Sequence, residues 1–295
     1  MRLGILGGNG FIGKKIVEYF ESKDWEIHIF SRRILQSPRN HHFVDLFDAE
    51  SLRKAILKCK PDLVINAAWD TTPGHFWNNF NNFEYDCAST NFAEICFQNG
   101  VGKFIGLGSV SEYGDSPGYC DAKTTPVVST SNYAKAKIKS GQSLLKLGEK
   151  YGTRTHWMRI FQAFGEDEKS ERLIPMLIRN LQNKNDFELK TPYSILDWID
   201  TNDIASAIYF AQINLSNHYI DIGTGKGTSV IDFAHIICQQ LNLDPDLIKY
   251  PTKNSSISKF AIVDSKSDLL VKGWKAEHSL EFRTKNLSKK SKYPC

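Results

Sequence analysis

The sequence has no long apolar run. None of its 295 residues lies in a stretch approaching the ~20 apolar residues that span a bilayer. No membrane span is therefore expected. The first thirteen residues carry three spaced glycines where a secretion signal has an apolar core and a small-residue cleavage site. A cytoplasmic location is expected. No C-x-x-C pair occurs among Cys59, Cys87, Cys96, Cys120, Cys238 and Cys295, so the six read as reduced thiols and not as a disulfide framework. The eight histidines supply no H-E-x-x-H or H-x3-H pattern. No metal is expected from spacing, and the adjacent His41-His42 reads as a loop entering a strand. A basic face is missing as well. Net charge is +4, but Arg283, Lys285, Lys289, Lys290 and Lys292 crowd the end of the chain with no acid among them. Apart from these five, 32 basic residues face 33 acidic ones. Nucleic acid is thus not expected as a partner, and residues 283–295 read as a solvated basic tail.

What is present is ordinary for a folded chain, with 41% hydrophobic and 24% charged residues. Over the first 160 residues, apolar runs of strand type alternate with helical spacing. Strands are expected at Arg2–Leu6, 26–30, 43–46, 62–66, 103–107 and 153–161, and helices at 11–20, Ala49–Cys59, 83–99 and 132–151. This alternation predicts an α/β fold, a doubly wound parallel sheet of Rossmann type with helices on both faces. The pattern loosens afterwards. Residues 161–282 read as a smaller C-terminal lobe for substrate, with the chain returning to the first domain, residues 1–160, near 194–212.

Gly7, Gly10 and Gly13 form G-x-x-G-x-x-G between the first strand and the first helix. That context suits dinucleotide binding. The glycines permit a tight turn, close approach to a pyrophosphate and close helix packing, and the helix N-terminus offers free N–H groups. Asn9, Phe11 and Ile12 frame the same loop. The second strand ends in Ser31, Arg32 and Arg33, where NAD-binding folds commonly carry an acid for the ribose. Guanidinium groups match a 2′-phosphate, so NADP(H) is the expected cofactor. The alternative is that both arginines are ordinary loop charges.

Tyr133 and Lys137 are four apart, on one helix face. A lysine ammonium beside a tyrosine, together with an oxidised nicotinamide, stabilises its phenolate, so that the phenol can exchange a proton with a carbonyl/alcohol pair. Ser109 follows a strand, where open parallel sheets place ligands, and can bond a substrate oxygen.

With these residues in order, the sequence resembles the extended short-chain dehydrogenase/reductases, the NAD(P)-dependent epimerase/dehydratase group that acts mostly on nucleotide sugars. The resemblance runs from Met1 to about Trp274. It includes the glycine triplet, Asp45-Leu46 at the adenine, Asn66-Ala67-Ala68 after the fourth strand, Asn91, Ser109 with Tyr113-Gly114, Tyr133 with Lys137, the segment 159–165, and the segment 197–203. It implies Ser109, Tyr133 and Lys137 as the catalytic trio. It also implies Ala67 and Ala68 at the cofactor, with a nucleotide sugar as substrate and a homodimer as one option. Trp69, Trp77, Ser111, Gln162 and Arg172 are the candidates for substrate contact. The chain also departs from the family. Gln162 stands where asparagine is common, and Leu196 where an arginine often grips the pyrophosphate; Arg172, Arg179 and Lys190 are its possible replacements. Val110-Ser111 replaces the Asp-Glu pair of the dehydratases, with Glu112 displaced by one.

Three readings of the reaction follow. The favoured one is NADPH-dependent reduction of the 4-keto group of a nucleotide-linked 4-keto-6-deoxyhexose in deoxysugar biosynthesis, similar to the abequose- and fucose-forming reductases. The others are a nucleotide-sugar epimerase that keeps its cofactor, and a catalytically silent NADP-binding protein.

Overall fold

The runs Leu3–Leu6 and Leu63–Asn66 are buried on both faces, which is how central strands of a parallel sheet covered by helices read. In the computed structural model, which describes residues 1–33, 39–216, 218–251, 259–285 and 287, these runs are neighbours at the centre of a seven-stranded sheet. The first half of the chain runs β1 (Arg2–Leu6), α1 (Phe11–Glu21), β2 (Glu26–Ser31), β3 (Asn40–Phe43), α2 (Ala49–Cys59), β4 (Leu63–Asn66), α3 (Asn81–Gln98), β5 (Lys103–Ser109), β6 (Gly118–Cys120), α4 (Asn132–Tyr151) and β7 (Arg154–Ile160). The second half runs β8 (Gln162–Phe164), α5 (Leu173–Gln182), β9 (Phe187–Glu188), β10 (Ile195–Asp200), α6 (Thr201–Asn214), β11 (Tyr219–Ile222), β12 (Gly227–Ser229), α7 (Val230–Leu241), β13 (Ile248–Lys249), β14 (Phe260–Val263), α8 (Asp268–Val271) and α9 (Leu280–Thr284).

The main sheet has the order β11-β7-β5-β4-β1-β2-β3, and every pairing in it is parallel. One face packs Ile16, Val17 and Phe20 of α1 against Ile204, Ala207 and Ile208 of α6. The other packs Leu52 and Ile56 of α2, Phe92 and Cys96 of α3, and Leu144 of α4. This is the expected doubly wound α/β sheet. Its strand order reverses between β1 and β4, and ligands of such sheets bind at that crevice, beyond the strands' carboxyl ends.

A second sheet, β12-β10-β14-β6 with β8 on β10, lies with α5 and α7 around Phe164, Leu177, Trp198 and Phe233. The return expected near 194–212 takes a different form. Helix α6 covers the main sheet, but β10 belongs to the second sheet, and the strand that rejoins the first is β11. His41 and His42 lie within β3, not in a loop before a strand.

The tail also differs from expectation. Arg283 sits in α9 and donates to Asp203 at 2.8 Å, with Asp200 at 3.7 Å and Glu277 at 3.7 Å. Three carboxylates hold it in the fold, and Thr284 and Leu287 beyond it are buried; Lys289, Lys290, Lys292 and Cys295 lie outside the described residues. The five described cysteines are free thiols, four buried and Cys87 exposed. Among the described residues, no helix is long and apolar enough to cross a membrane.

Candidate active site

The glycine loop is packed as a cofactor cradle. Gly7 has φ +83°, and a Cβ there would lie 2.8 Å from Ala68 N and 2.9 Å from Ala67 C. On Gly13 a Cβ would lie 2.1 Å from Gly7 O. No side chain can be added at either position without displacing backbone. Helix α1 follows its N-cap Gly10, whose N–H donates to Gly7 O at 2.9 Å; with no side-chain cap and no acid in the first turn, the N–H groups of that turn suit a phosphate. Asn9 and Gly10 are exposed, with Phe11 and Ile12 half-buried behind them. These residues fit a dinucleotide.

At the tip of β2, Ser31 Oγ accepts from Asn9 Nδ2 at 3.2 Å and donates to Arg33 O. Arg32 and Arg33 are exposed there. Asp45 turns its chain by accepting from Phe47 N at 3.0 Å, and Leu46 is buried beside it. Asn66 fixes the β4 end, donating to Ser89 Oγ at 3.0 Å and accepting from Ala68 N at 3.1 Å. Asn91 is exposed on α3.

Helix α4 begins at Ser131, whose side chain accepts from Ala134 N at 3.1 Å. Tyr133 therefore lies in its first turn and Lys137 one turn later. The Ser109 side chain, at the end of β5, lies near enough to the Tyr133 phenol to oppose the rise of its pKa. Rings surround the phenol. Phe76 lies 5.0 Å away, Trp77 5.7 Å and Trp69 6.2 Å, all edge-on. Trp77 remains 46% exposed. Lys137 Nζ donates to Leu107 O at 2.7 Å and sits 3.8 Å from the Trp69 ring centre.

The expected lowering of the tyrosine's pKa involves an oxidised nicotinamide as well as Lys137; in the protein without cofactor, burial dominates. Burial pushes the Tyr133 phenol up to about 12, opposed by the Ser109 side chain and by the charge of Arg172. Burial also brings the Lys137 amine down to about 7. In the protein alone, Tyr133 is a proton donor.

Below Ser109 lies a buried network that sequence reasoning did not find. Glu112 is 0% exposed. It accepts from Ser109 N at 2.9 Å, Trp157 Nε1 at 2.9 Å and Arg159 Nε at 2.8 Å. Arg159 donates to Tyr113 OH at 2.9 Å, and Tyr113 donates to Asp221 at 2.7 Å. This network ties the ends of β5, β7 and β11 together and fixes the backbone that presents Ser109. Glu112 spends its oxygens there. Ser111 meets the Ser109 hydroxyl, with the two Oγ atoms 2.5 Å apart.

Of the expected substrate contacts, Arg172 reaches the site. It donates to Thr71 O at 3.0 Å, and its guanidinium lies 5.4 Å from the Phe76 ring. Arg179 is in the last turn of α5 and Lys190 is exposed. Gln162 is half-buried at the start of β8. Glu168 was also missed. Its Oε2 is buried with no hydrogen-bond partner, and burial pushes the carboxyl up to about 8 against the charge of Arg172. Nothing in the local pattern GEDEKSER marks which of its acids is buried.

A profile of the NAD dependent epimerase/dehydratase family matches residues 3–223. GDP-L-fucose synthase of Sinorhizobium fredii is 26% identical over 95% of this chain and 92% of that protein. CDP-abequose synthase of Salmonella muenchen is 24% identical over 44% of this chain and 45% of its own. Among solved structures, UDP-N-acetylglucosamine 4-epimerase of Methanobrevibacter ruminantium superposes with a TM-score of 0.82 at 24% identity, covering 97% of this chain and 96% of that one. The parallel sheet, the glycine cradle at its switch point and the span of the profile lead to one assignment: the chain belongs to the NAD dependent epimerase/dehydratase family.

Proposed function

We propose that the chain is an NADPH-dependent reductase of the C4 ketone in a nucleotide-linked 4-keto-6-deoxyhexose. The observation that carries this reading is the Tyr133 phenol, kept neutral by burial among Phe76, Trp77 and Trp69, with Ser109 and Arg172 acting on it. A neutral phenol suits giving a proton to a carbonyl oxygen, as reduction requires. The nicotinamide, when bound, supplies the hydride. Ser109 holds the ketone oxygen and Tyr133 protonates it. Lys137 holds the ribose hydroxyls and becomes fully charged as it does so. The rings of Trp69 and Trp77 stack the sugar or base. Arg172, free of any carboxylate within ion-pair distance among the described residues, takes the diphosphate. Gln162 and Ser111 complete the substrate contacts. The relatives named as fucose and abequose synthases support the substrate class. Glu112, buried and bonded, is not free to serve as the second acid of a dehydration.

NADPH is preferred to NADH in this reading because Arg32 and Arg33 stand exposed at the β2 tip, with no acid to repel the 2′-phosphate. Charge-assisted hydrogen bonds contribute ~1.5–3 kcal/mol. Arg32→Ala should therefore weaken NADPH binding about ten- to a hundredfold and leave NADH nearly unchanged, as measured by fluorescence titration. Equal affinity of the unaltered protein for the two cofactors removes the basis of the assignment. The reaction itself is tested by following NADPH absorbance with a nucleotide-linked 4-keto sugar. The runner-up, an epimerase that returns its hydride, consumes none.

A further inference from the structure

We propose that His28, His42 and Cys59 form a binding site for a divalent cation of borderline softness, Zn²⁺ above all. The three side chains come from β2, β3 and the last residue of α2. Their donor atoms all lie within 4.8 Å of one another. His28 Nδ1 and His42 Nε2 are already 3.0 Å apart. Zinc bonds of ~2.0–2.1 Å to nitrogen and ~2.3 Å to sulfur, at tetrahedral angles, put donor atoms roughly 3.3–3.7 Å apart. A shift of about 1 Å in the Cys59 side chain closes the remaining difference.

The surroundings favour a cation in three ways. Glu26 Oε1 lies 3.0 Å from His28 Nε2. A carboxylate accepting from Nε2–H leaves the Nδ1 lone pair directed at the cluster, which is the outer-shell arrangement of histidine metal ligands. His28 and Cys59 are buried whereas His42 is half-buried, so an ion has a way in and one coordination position stays open to water. The donor set of two imidazoles and one thiol selects zinc over calcium or magnesium. Arg2 and Lys58 are the cations whose charge reaches the cluster; the thiolate and Glu26 balance them.

Binding exchanges one cation for one proton. The Cys59 thiol, which donates to Ala55 O at 2.7 Å, loses its proton to solvent, and sulfur turns to the metal. The His42 Nε2 proton moves to Nδ1 through solvent, and no electron is transferred. The site lies away from the glycine loop, because His28 pairs with Gly4 in mid-strand and Cys59 precedes the start of β4. Its consequence is structural. Strand β3 is the edge of the main sheet, and an ion held by His42 and Cys59 staples that edge to α2. This inference stands apart from the nucleotide-sugar reading.

The test is titration of untagged protein with Co²⁺, watched in the visible and near-ultraviolet. One equivalent should give tetrahedral ligand-field bands and a thiolate-to-cobalt charge-transfer band, both removed by Zn²⁺. Glu26→Gln should weaken the affinity about 10–100-fold. His42→Gln, at a half-buried edge position, should abolish the bands with the circular dichroism unchanged, and Cys59→Ser should remove the charge-transfer band. Zn²⁺ should raise the melting temperature of the unaltered protein and not that of His42→Gln. Absence of the bands in the unaltered protein, or their persistence in His42→Gln, overturns the proposal.

Discussion

Tyr133→Phe is expected to lower turnover by roughly 10²–10⁴-fold, the usual contribution of a positioned acid. The substitution removes one oxygen and keeps the ring. Phe76, Trp77 and Trp69 still meet it edge-on, so the fold and cofactor affinity should be retained. The loss should fall on kcat and leave KM nearly unchanged, since in the proposed reaction the phenol acts on the oxygen that changes charge in the transition state. Steady-state kinetics with circular dichroism as a control measures both. Turnover within tenfold of the unaltered enzyme would move the acid to another residue.

Lys137→Met should act in opposite directions on stability and activity. Burial holds the Lys137 amine at about 7, well below its ordinary 10.5. Between those values the unfolded chain binds a proton that the folded chain does not, so folding stability rises with pH across that window. The penalty is complete below about pH 7 and fades as pH approaches 10.5. Methionine fits the space beside Trp69 and carries no charge, so the cofactor-free variant should melt higher than the parent at pH 6–7 and lose that advantage near pH 10. Turnover should fall at least 100-fold, because neither ribose nor phenolate is then stabilised. Melting curves of both proteins at the two pH values check the first part. A variant less stable than the parent at pH 6 would mean that the amine is already well paired when buried.

The first half of the fold is legible because its signals are local. Leu3–Leu6 and Leu63–Asn66 are apolar on both faces, and the glycine triplet sits between strand and helix where its steric reason operates. Tyr133 and Lys137 could be paired from helical spacing alone. The second sheet was hidden because β6, β8 and β12 have three residues each, too few to show a period. Strand β10 has six residues, but its partners β8 and β12 are too short to show from sequence that it joins the second sheet.

Long-range pairing was equally hidden. Arg283 reads as tail until Asp203 is found 2.8 Å away, 80 residues earlier in the chain. Glu112 reads only as an acid displaced from the dehydratase pair, and its bonds to Arg159 and Trp157 are seen only in the structure. His28, His42 and Cys59 have no motif spacing, because three separate elements bring them together. Spacing reveals that Lys137 is near Tyr133, and only the structure reveals how burial shifts both groups in the protein without cofactor.

The most direct measurement of the proposed reaction uses NADPH deuterated at the transferable position of the nicotinamide, with a nucleotide-linked 4-keto-6-deoxyhexose. The account predicts one NADPH oxidised per sugar, an alcohol at C4 and deuterium on that carbon. Conversion of a saturated nucleotide sugar to its epimer, with no NADPH consumed and no deuterium gained, would contradict it.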